Sequence, residues 1–182
     1  PEKYAATLPE GYTRIHKGVA YDDRAFHLFF QRFGGEEWFR RTIFVFVADH
    51  VSSEKFAEET RSYPGNMHII GFIYTPDGAL RGEVGEITQQ LDIMPTLLGL
   101  TGNREPYFAF GRDVLNEPQR PQWSVSWDGA FQAVTNDGTI RFDDAQETPA
   151  ASSAGDSLLQ DFRALVQQYY SHAEKKSYIV HD

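Results

Sequence analysis

An aspartate and a histidine, Asp49 and His50, stand side by side at the end of the apolar run Ile43-Phe44-Val45-Phe46-Val47-Ala48. A carboxylate oxygen and an imidazole nitrogen so placed are suitable ligands for a divalent metal ion. The run before them is rich in Val, Ile and Phe, with no polar interruption. Such a run reads as a strand buried on both faces, as in a parallel sheet. Ligands of open α/β sheets bind outside the carboxyl ends of the strands, which is where this pair lies. The competing reading is structural: a strand-end Asp caps the following turn and the His is its neighbour. Spacing alone leaves both open.

Six other residues carry reactive groups. His68 opens a second apolar run, 67–74, and reads either as a substrate contact or as a solvent-facing residue. Glu54, Lys55 and Arg61 lie on the polar segment after His50, as substrate contacts or as solvated charges. Asp92 precedes a helix with Pro95 in its first turn, where a missing N–H costs nothing. Its expected task is capping exposed N–H groups, with catalysis as the alternative. His27 falls inside a helical pattern without a partner at helical spacing, so it reads as a packed or surface residue.

These residues need elements to hold them. Residues 1–16 are polar, with a short strand expected over 12–15. The pattern from 19 to 33 is helical, with Phe26, Phe29, Phe30 and Phe33 on or near one face, and Gly34-Gly35 stops it. The strand ending at Asp49-His50 follows. A loop with one helical turn spans 51–65. The second strand, 67–74, is closed by Thr75-Pro76-Asp77-Gly78, a turn sequence. A helix is expected over 88–100. From Trp123 the pattern alternates, and Asn136-Asp137-Gly138 is a hairpin signal between two alternating runs. Residues 145–156 read as a small-residue linker. An amphipathic helix over 158–175 closes the chain.

Composition bounds the function classes. The chain has 182 residues, enough for a domain with a real core. It carries 17 Lys and Arg against 26 Asp and Glu, a formal net charge of −9. That balance argues against nucleic acid or an anionic membrane as main partner. An anionic substrate remains compatible, since a bound cation reverses the local field. Cysteine is absent, which removes disulfide and thiolate chemistry. There is no apolar run of membrane-spanning length and no signal peptide pattern. The chain begins at Pro1, as a processed or excised piece does.

Taken in order, the motifs resemble a known family. They are Ala48-Asp49-His50 after an apolar strand, Tyr74-Thr75-Pro76-Asp77-Gly78 after a second, Gln89-Gln90-Leu91-Asp92-Ile93-Met94-Pro95-Thr96-Leu97-Leu98-Gly99-Leu100, and Phe108-Ala109-Phe110-Gly111-Arg112-Asp113. With the hairpin and closing helix, this order resembles the C-terminal part of the catalytic domain in the alkaline phosphatase superfamily. It is most similar to the sulfatase-like phosphoglycerol transferases and lipoteichoic acid synthases. Tyr21-Asp22-Asp23-Arg24-Ala25 and the run from Phe162 to Tyr170 resemble two of the family's helices.

The resemblance implies an α/β three-layer sandwich with a mixed, mainly parallel sheet, plus a small C-terminal antiparallel sheet and helix. The expected domains are 1–118, part of the catalytic core, and 119–182, the small sheet with its helix. Asp49 and His50 become two ligands of a divalent cation (Mn, Zn, Mg or Ca), and His68 a substrate contact. No catalytic nucleophile is expected in this chain, because the family carries its Thr, Ser or formylglycine on N-terminal strands that 1–41 do not match. The implied activity is metal-dependent phosphotransfer or phosphodiester hydrolysis on phosphoglycerol-type or other phosphate esters. A sulfatase of the same fold is the alternative, although sulfatases more often carry Asp-Asn at this position. A non-catalytic binding domain is the third reading. The expected partner is the N-terminal part of the same catalytic domain, or a second copy by self-association. The expected location is extracytoplasmic, with a parent protein anchored in the bacterial membrane.

Overall fold

The computed structural model describes residues 7–9, 11–54, 57–120, 122–143, 146–150 and 156–176. The backbone gathers into two units, one of residues 1–50 and 69–82, the other of residues 51–68 and 83–182.

The first unit is built on aromatic packing. Helix α1 runs Arg14–Phe33 and the short helix α2 runs Glu37–Arg40. Strands β1, Phe44–Val47, and β2, Gly71–Tyr74, form a two-stranded ribbon. Phe29 and Phe30 of α1 meet Phe39 and Phe44, and Phe30 also meets Phe46 and Tyr74. Phe39 is 2% exposed and lies 4.7 Å, centroid to centroid, from Phe44. Each such ring pair adds about 1 kcal/mol beyond the area it buries. Gly34 stops α1, its N–H donating to the Phe30 carbonyl at 2.9 Å.

The strand expected over 12–15 is instead the entry to α1. Thr13 is the extended N-cap residue, and the Tyr12 N–H donates to His16 Nδ1 at 3.0 Å. A four-residue alternation is too short to separate a strand from a helix start. The second apolar run yields a shorter strand than expected. Met67 belongs to a 3-10 turn, Gly65–Met67, held by N–H bonds from Asn66 to the Ser62 carbonyl and from Met67 to that of Pro64, and residues 68–70 lie outside both turn and strand.

Strand direction needs correction as well. β1 and β2 pair antiparallel, in the register Phe44↔Tyr74, Val45↔Ile73, Phe46↔Phe72, Val47↔Gly71. Among the described residues, both sheets are antiparallel, where a mainly parallel sheet was expected. An unbroken apolar run reports that both faces of a strand want cover and carries no information on its neighbour's direction.

The second unit contains a 3-10 turn, Gln90–Asp92, leading into helix α3, Ile93–Leu100. Strands β3 (Trp123–Trp127), β4 (Phe131–Thr135), β5 (Gly138–Asp143) and β6 (Gln146–Ala150) follow in an antiparallel meander, and helix α4 spans Asp156–Lys175. The β4–β5 hairpin turns at Asn136-Asp137 with Gly138 at φ +136°, a conformation glycine adopts without strain. Ala133 and Ile140 of the sheet pack with Leu159 and Phe162 of α4 as the buried core. β6 occupies part of the expected linker, because Gln146-Glu147-Thr148-Pro149-Ala150 lacks the apolar alternation that announces a strand.

The expected boundary after residue 118 falls inside the second unit. The Gln89 side-chain amide joins the two sides of it. Gln89 Nε2 donates to the Trp123 carbonyl at 3.1 Å, and its Oε1 accepts the Val125 N–H at 3.3 Å. One amide thus takes the place of a neighbouring strand along the outer edge of β3.

Candidate functional site

β1 ends at Val47, two residues before Asp49, and the chain turns there. The His50 N–H donates to Asp49 Oδ1 at 2.9 Å. The other carboxylate oxygen, Oδ2, lies 3.6 Å from His50 Nε2. Both side chains are largely exposed, at 88% and 80%. One carboxylate oxygen is thus bonded to the turn, and the other faces the imidazole.

The pair fits a shared cation. Two ligand atoms each about 2.1 Å from one metal, at tetrahedral or octahedral angles, stand about 3.0–3.4 Å apart. The 3.6 Å separation needs an adjustment of a few tenths of an ångström. Two donors do not complete a coordination shell. Among the described residues, no three His, Asp or Glu side chains converge as a metal site.

The other candidates lie in the second unit. His68 is exposed, directly after the 3-10 turn, with its N–H on the Gly65 carbonyl at 3.1 Å. Arg61 pairs with Glu58 one helical turn earlier. The Glu54 N–H donates to Ser52 Oγ at 3.1 Å. Lys55 lies outside the described residues. In the first unit, His27 is an exposed residue of α1.

Asp92 is structural, and its reach exceeds the expected capping. It is 5% exposed. Oδ2 accepts the Gln89 N–H at 3.0 Å, closing a capping box at the 3-10 turn. Oδ1 accepts the Arg112 N–H at 2.8 Å, twenty residues downstream. Arg112, 4% exposed, donates from Nη2 to Glu86 Oε2 at 3.0 Å and to the Ile87 carbonyl at 3.2 Å. Thr96 Oγ1 donates to the Asp92 carbonyl at 2.7 Å and accepts the Val114 N–H at 3.1 Å. Gly111 lies against the backbone of Leu91 and Asp92, so that an added Cβ would stand 2.7 Å from the Asp92 nitrogen. Sequence reading missed Arg112 and Asp113 as parts of this network. Their only local signal is Asp113-Val114-Leu115-Asn116, where Asp113 Oδ1 accepts the N–H groups of Leu115 and Asn116.

The same unit has a cavity of about 330 Å³ between Phe108, Phe110, Arg120, Trp123, Leu165 and Gln168. Arg120 already spends one amino group on the Gly111 carbonyl and on Glu117, each at 3.2 Å.

Tyr63 introduces pH dependence. Burial pushes its phenol above the ordinary tyrosine value, and the neighbouring Ser126 hydroxyl offsets part of that. A raised folded-state value means the contribution to stability is complete below pH 10 and is lost as pH rises through the folded value. Thermal unfolding should therefore be flat in this respect from pH 7 to about 9 and fall above 10. In Tyr63→Phe, that alkaline fall should be smaller.

Comparison with known proteins decides the family. The sulfatase family model matches residues 2–103, more than half of the chain and with both Asp49 and His50 inside it. The chain belongs to the sulfatase family. A solved protein of the alkaline phosphatase superfamily from Vibrio parahaemolyticus has the same fold, with a TM-score of 0.75 at 21% identity. The match covers 96% of this chain and 46% of that one, so this sulfatase-family chain spans about half the length of its solved relative. Its fold is thus alkaline phosphatase-like. No curated protein matches the chain. The superfamily comprises enzymes acting on phosphate or sulfate esters, generally with divalent metals.

Proposed function

We propose that this chain is the C-terminal part of a metal-dependent phosphotransferase or phosphodiesterase, acting on phosphoglycerol-type or other phosphate esters. Family membership supports the ester class. The observation that carries the reading is the facing of Asp49 Oδ2 and His50 Nε2 at 3.6 Å beyond the end of β1. Asp49 supplies negative charge and His50 a neutral nitrogen. The hydrogen bond from the His50 N–H holds the carboxylate so that its second oxygen faces the ring. A cation held there would lower the pKa of an attacking hydroxyl and offset charge on the ester oxygens. The hydroxyl nucleophile and the remaining metal ligands come, in this reading, from the N-terminal part of the same catalytic domain. His68 is the proposed substrate contact. The proposed setting is extracytoplasmic, in a parent anchored to the membrane. Among the described residues, no helix is long and apolar enough to cross one.

The test is direct metal binding by calorimetry with Mn, Zn, Mg and Ca. One of these is expected to bind the chain, and His50→Ala or Asp49→Asn to weaken it at least about tenfold, since each removes one of two donors. Thermal midpoints without metal should stay within a few degrees, because both side chains are exposed. Equal affinity in wild type and both variants would sink the reading. The chain alone is expected to turn over phosphodiesters poorly. Sulfate ester hydrolysis is the second reading, favoured by the family match itself. Paired assays on a nitrophenyl phosphodiester and a nitrophenyl sulfate with the longer parent protein separate the two.

A further inference from the structure

The cavity of the second unit joins apolar walls to polar groups that have no other task. Phe110, Trp123 and Leu165 give it apolar faces. Its volume, about 330 Å³, lies at the small end of small-molecule sites. Arg120, Gln168 and Trp123 line it as well and carry the polar groups. Arg120 uses Nη1 on the Gly111 carbonyl and on Glu117, and no described residue takes a hydrogen bond from its Nη2 or Nε. The Gln168 amide and the Trp123 indole N–H likewise bond to no described residue. A ligand would therefore find donors on three side chains and one acceptor, the Gln168 carbonyl.

The charges at this cavity are already balanced. Arg112 donates to Glu86 at 3.0 Å and Arg120 to Glu117 at 3.2 Å. Both oxygens of Asp92 hold backbone N–H groups. An entering anion would meet three carboxylates beside the two guanidiniums. An entering cation would meet the guanidiniums first, since Arg112 and Arg120 line the cavity and Glu86 and Glu117 stand behind them. The formal net charge of −9 weighs further against an anion. A neutral molecule suits such a place, with apolar faces for the rings and hydroxyl groups for the spare donors.

The rings do not stop at the cavity. Phe110 lies 5.8 Å from Tyr169, Tyr169 5.8 Å from Tyr170, Tyr170 6.5 Å from Phe131 and Phe131 4.7 Å from Trp127, centroid to centroid. Tyr170 is 53% exposed and Trp127 60%. Exposed apolar groups collected in this way mark a contact surface. The phenols of Tyr169 and Tyr170 also bond to no described residue.

We infer that the cavity binds a neutral sugar unit and that the run of rings carries further units of the same glycan. A pyranose has C–H faces that lie against aromatic rings and a girdle of hydroxyls that both donate and accept. Its oxygens can take the Arg120 and indole N–H groups, and its hydroxyls can meet both ends of the Gln168 amide. A hydrocarbon of equal size would cover those donors and leave them unpaired, which is costly. The site uses neither Asp49 nor His50, so it stands or falls apart from the cation reading.

Titration of the 182-residue chain with cellulose-, starch- and chitin-derived oligosaccharides, and with their single sugars, tests this by tryptophan fluorescence and calorimetry. At least one series is expected to bind saturably below about 10 mM, more tightly as units are added. Gln168→Ala and Arg120→Met should each weaken that series about fivefold, the effect of one lost hydrogen bond. Tyr170→Ala should weaken the longest member about threefold and leave the single sugar unchanged. All three side chains are exposed, so the variants should melt with the wild type. A chelator should change nothing. Absence of saturable binding in every series overturns the proposal, as does equal affinity in wild type, Gln168→Ala and Arg120→Met. Tighter binding of benzoate or inorganic phosphate than of any sugar overturns it too. Loss of sugar binding on chelation would put the sugar at a cation and not in this cavity, and so would also refute it.

Discussion

Asp92→Ala is expected to lower the stability of the second unit by about 3–4 kcal/mol, because it strands two buried N–H groups at about 1–3 kcal/mol each. The Gln89 N–H at 3.0 Å and the Arg112 N–H at 2.8 Å both end on this carboxylate. No other side chain is bonded to either of them among the described residues. The loss reaches further than two bonds. Arg112 is buried, and its guanidinium is tied to Glu86 and the Ile87 carbonyl. Moving its backbone therefore strains an ion pair that must stay intact while out of water. Asp92→Asn retains one acceptor and should cost about half as much. Urea unfolding followed by tryptophan fluorescence measures both, since Trp123 and Trp127 report from this unit. A loss under about 1 kcal/mol for Asp92→Ala would show that water replaces the carboxylate and that the network is not a structural hub.

Phe39→Ala is expected to cost the first unit about 3–5 kcal/mol, the usual loss for emptying a buried aromatic site. Among the described residues of that unit Phe39 alone is buried, at 2% exposed. Its ring meets Phe29, Phe30, Trp38 and Phe44 at centroid distances of 6.3, 5.4, 5.7 and 4.7 Å. These partners come from α1, α2 and β1, so removing the ring loosens three elements at once. Phe39→Leu keeps much of the volume and should cost under about half as much. Chemical denaturation of the two variants, with near-ultraviolet circular dichroism as the probe, gives the comparison. Equal losses would mean that shape at this site matters less than apolar area.

Much of this fold was legible because the signals were local. The Asn136-Asp137-Gly138 turn, Pro95 in the first turn of α3, Gly34 after α1 and the stripe of α4 are each set by residues within a few positions. The illegible parts depend on distance along the chain. Nothing in Thr42 to Val47 says that Tyr74 will oppose Phe44 and run the other way. Nothing near Asp92 says that its second oxygen will meet residue 112. β6 was hidden because its strand state comes from pairing with β5 and not from its own residues. At the candidate site, adjacency on a strand end placed Asp49 and His50 near each other. Only coordinates gave the facing of Oδ2 and Nε2.

Gln89 has a consequence for how this chain behaves in a crowded solution. By occupying the Trp123 carbonyl and the Val125 N–H, its amide denies an incoming molecule the rim of the four-stranded meander. A Gln89→Leu chain would bare that rim. Such a protein becomes a template for fibril growth, and its shelf life at high concentration should shorten.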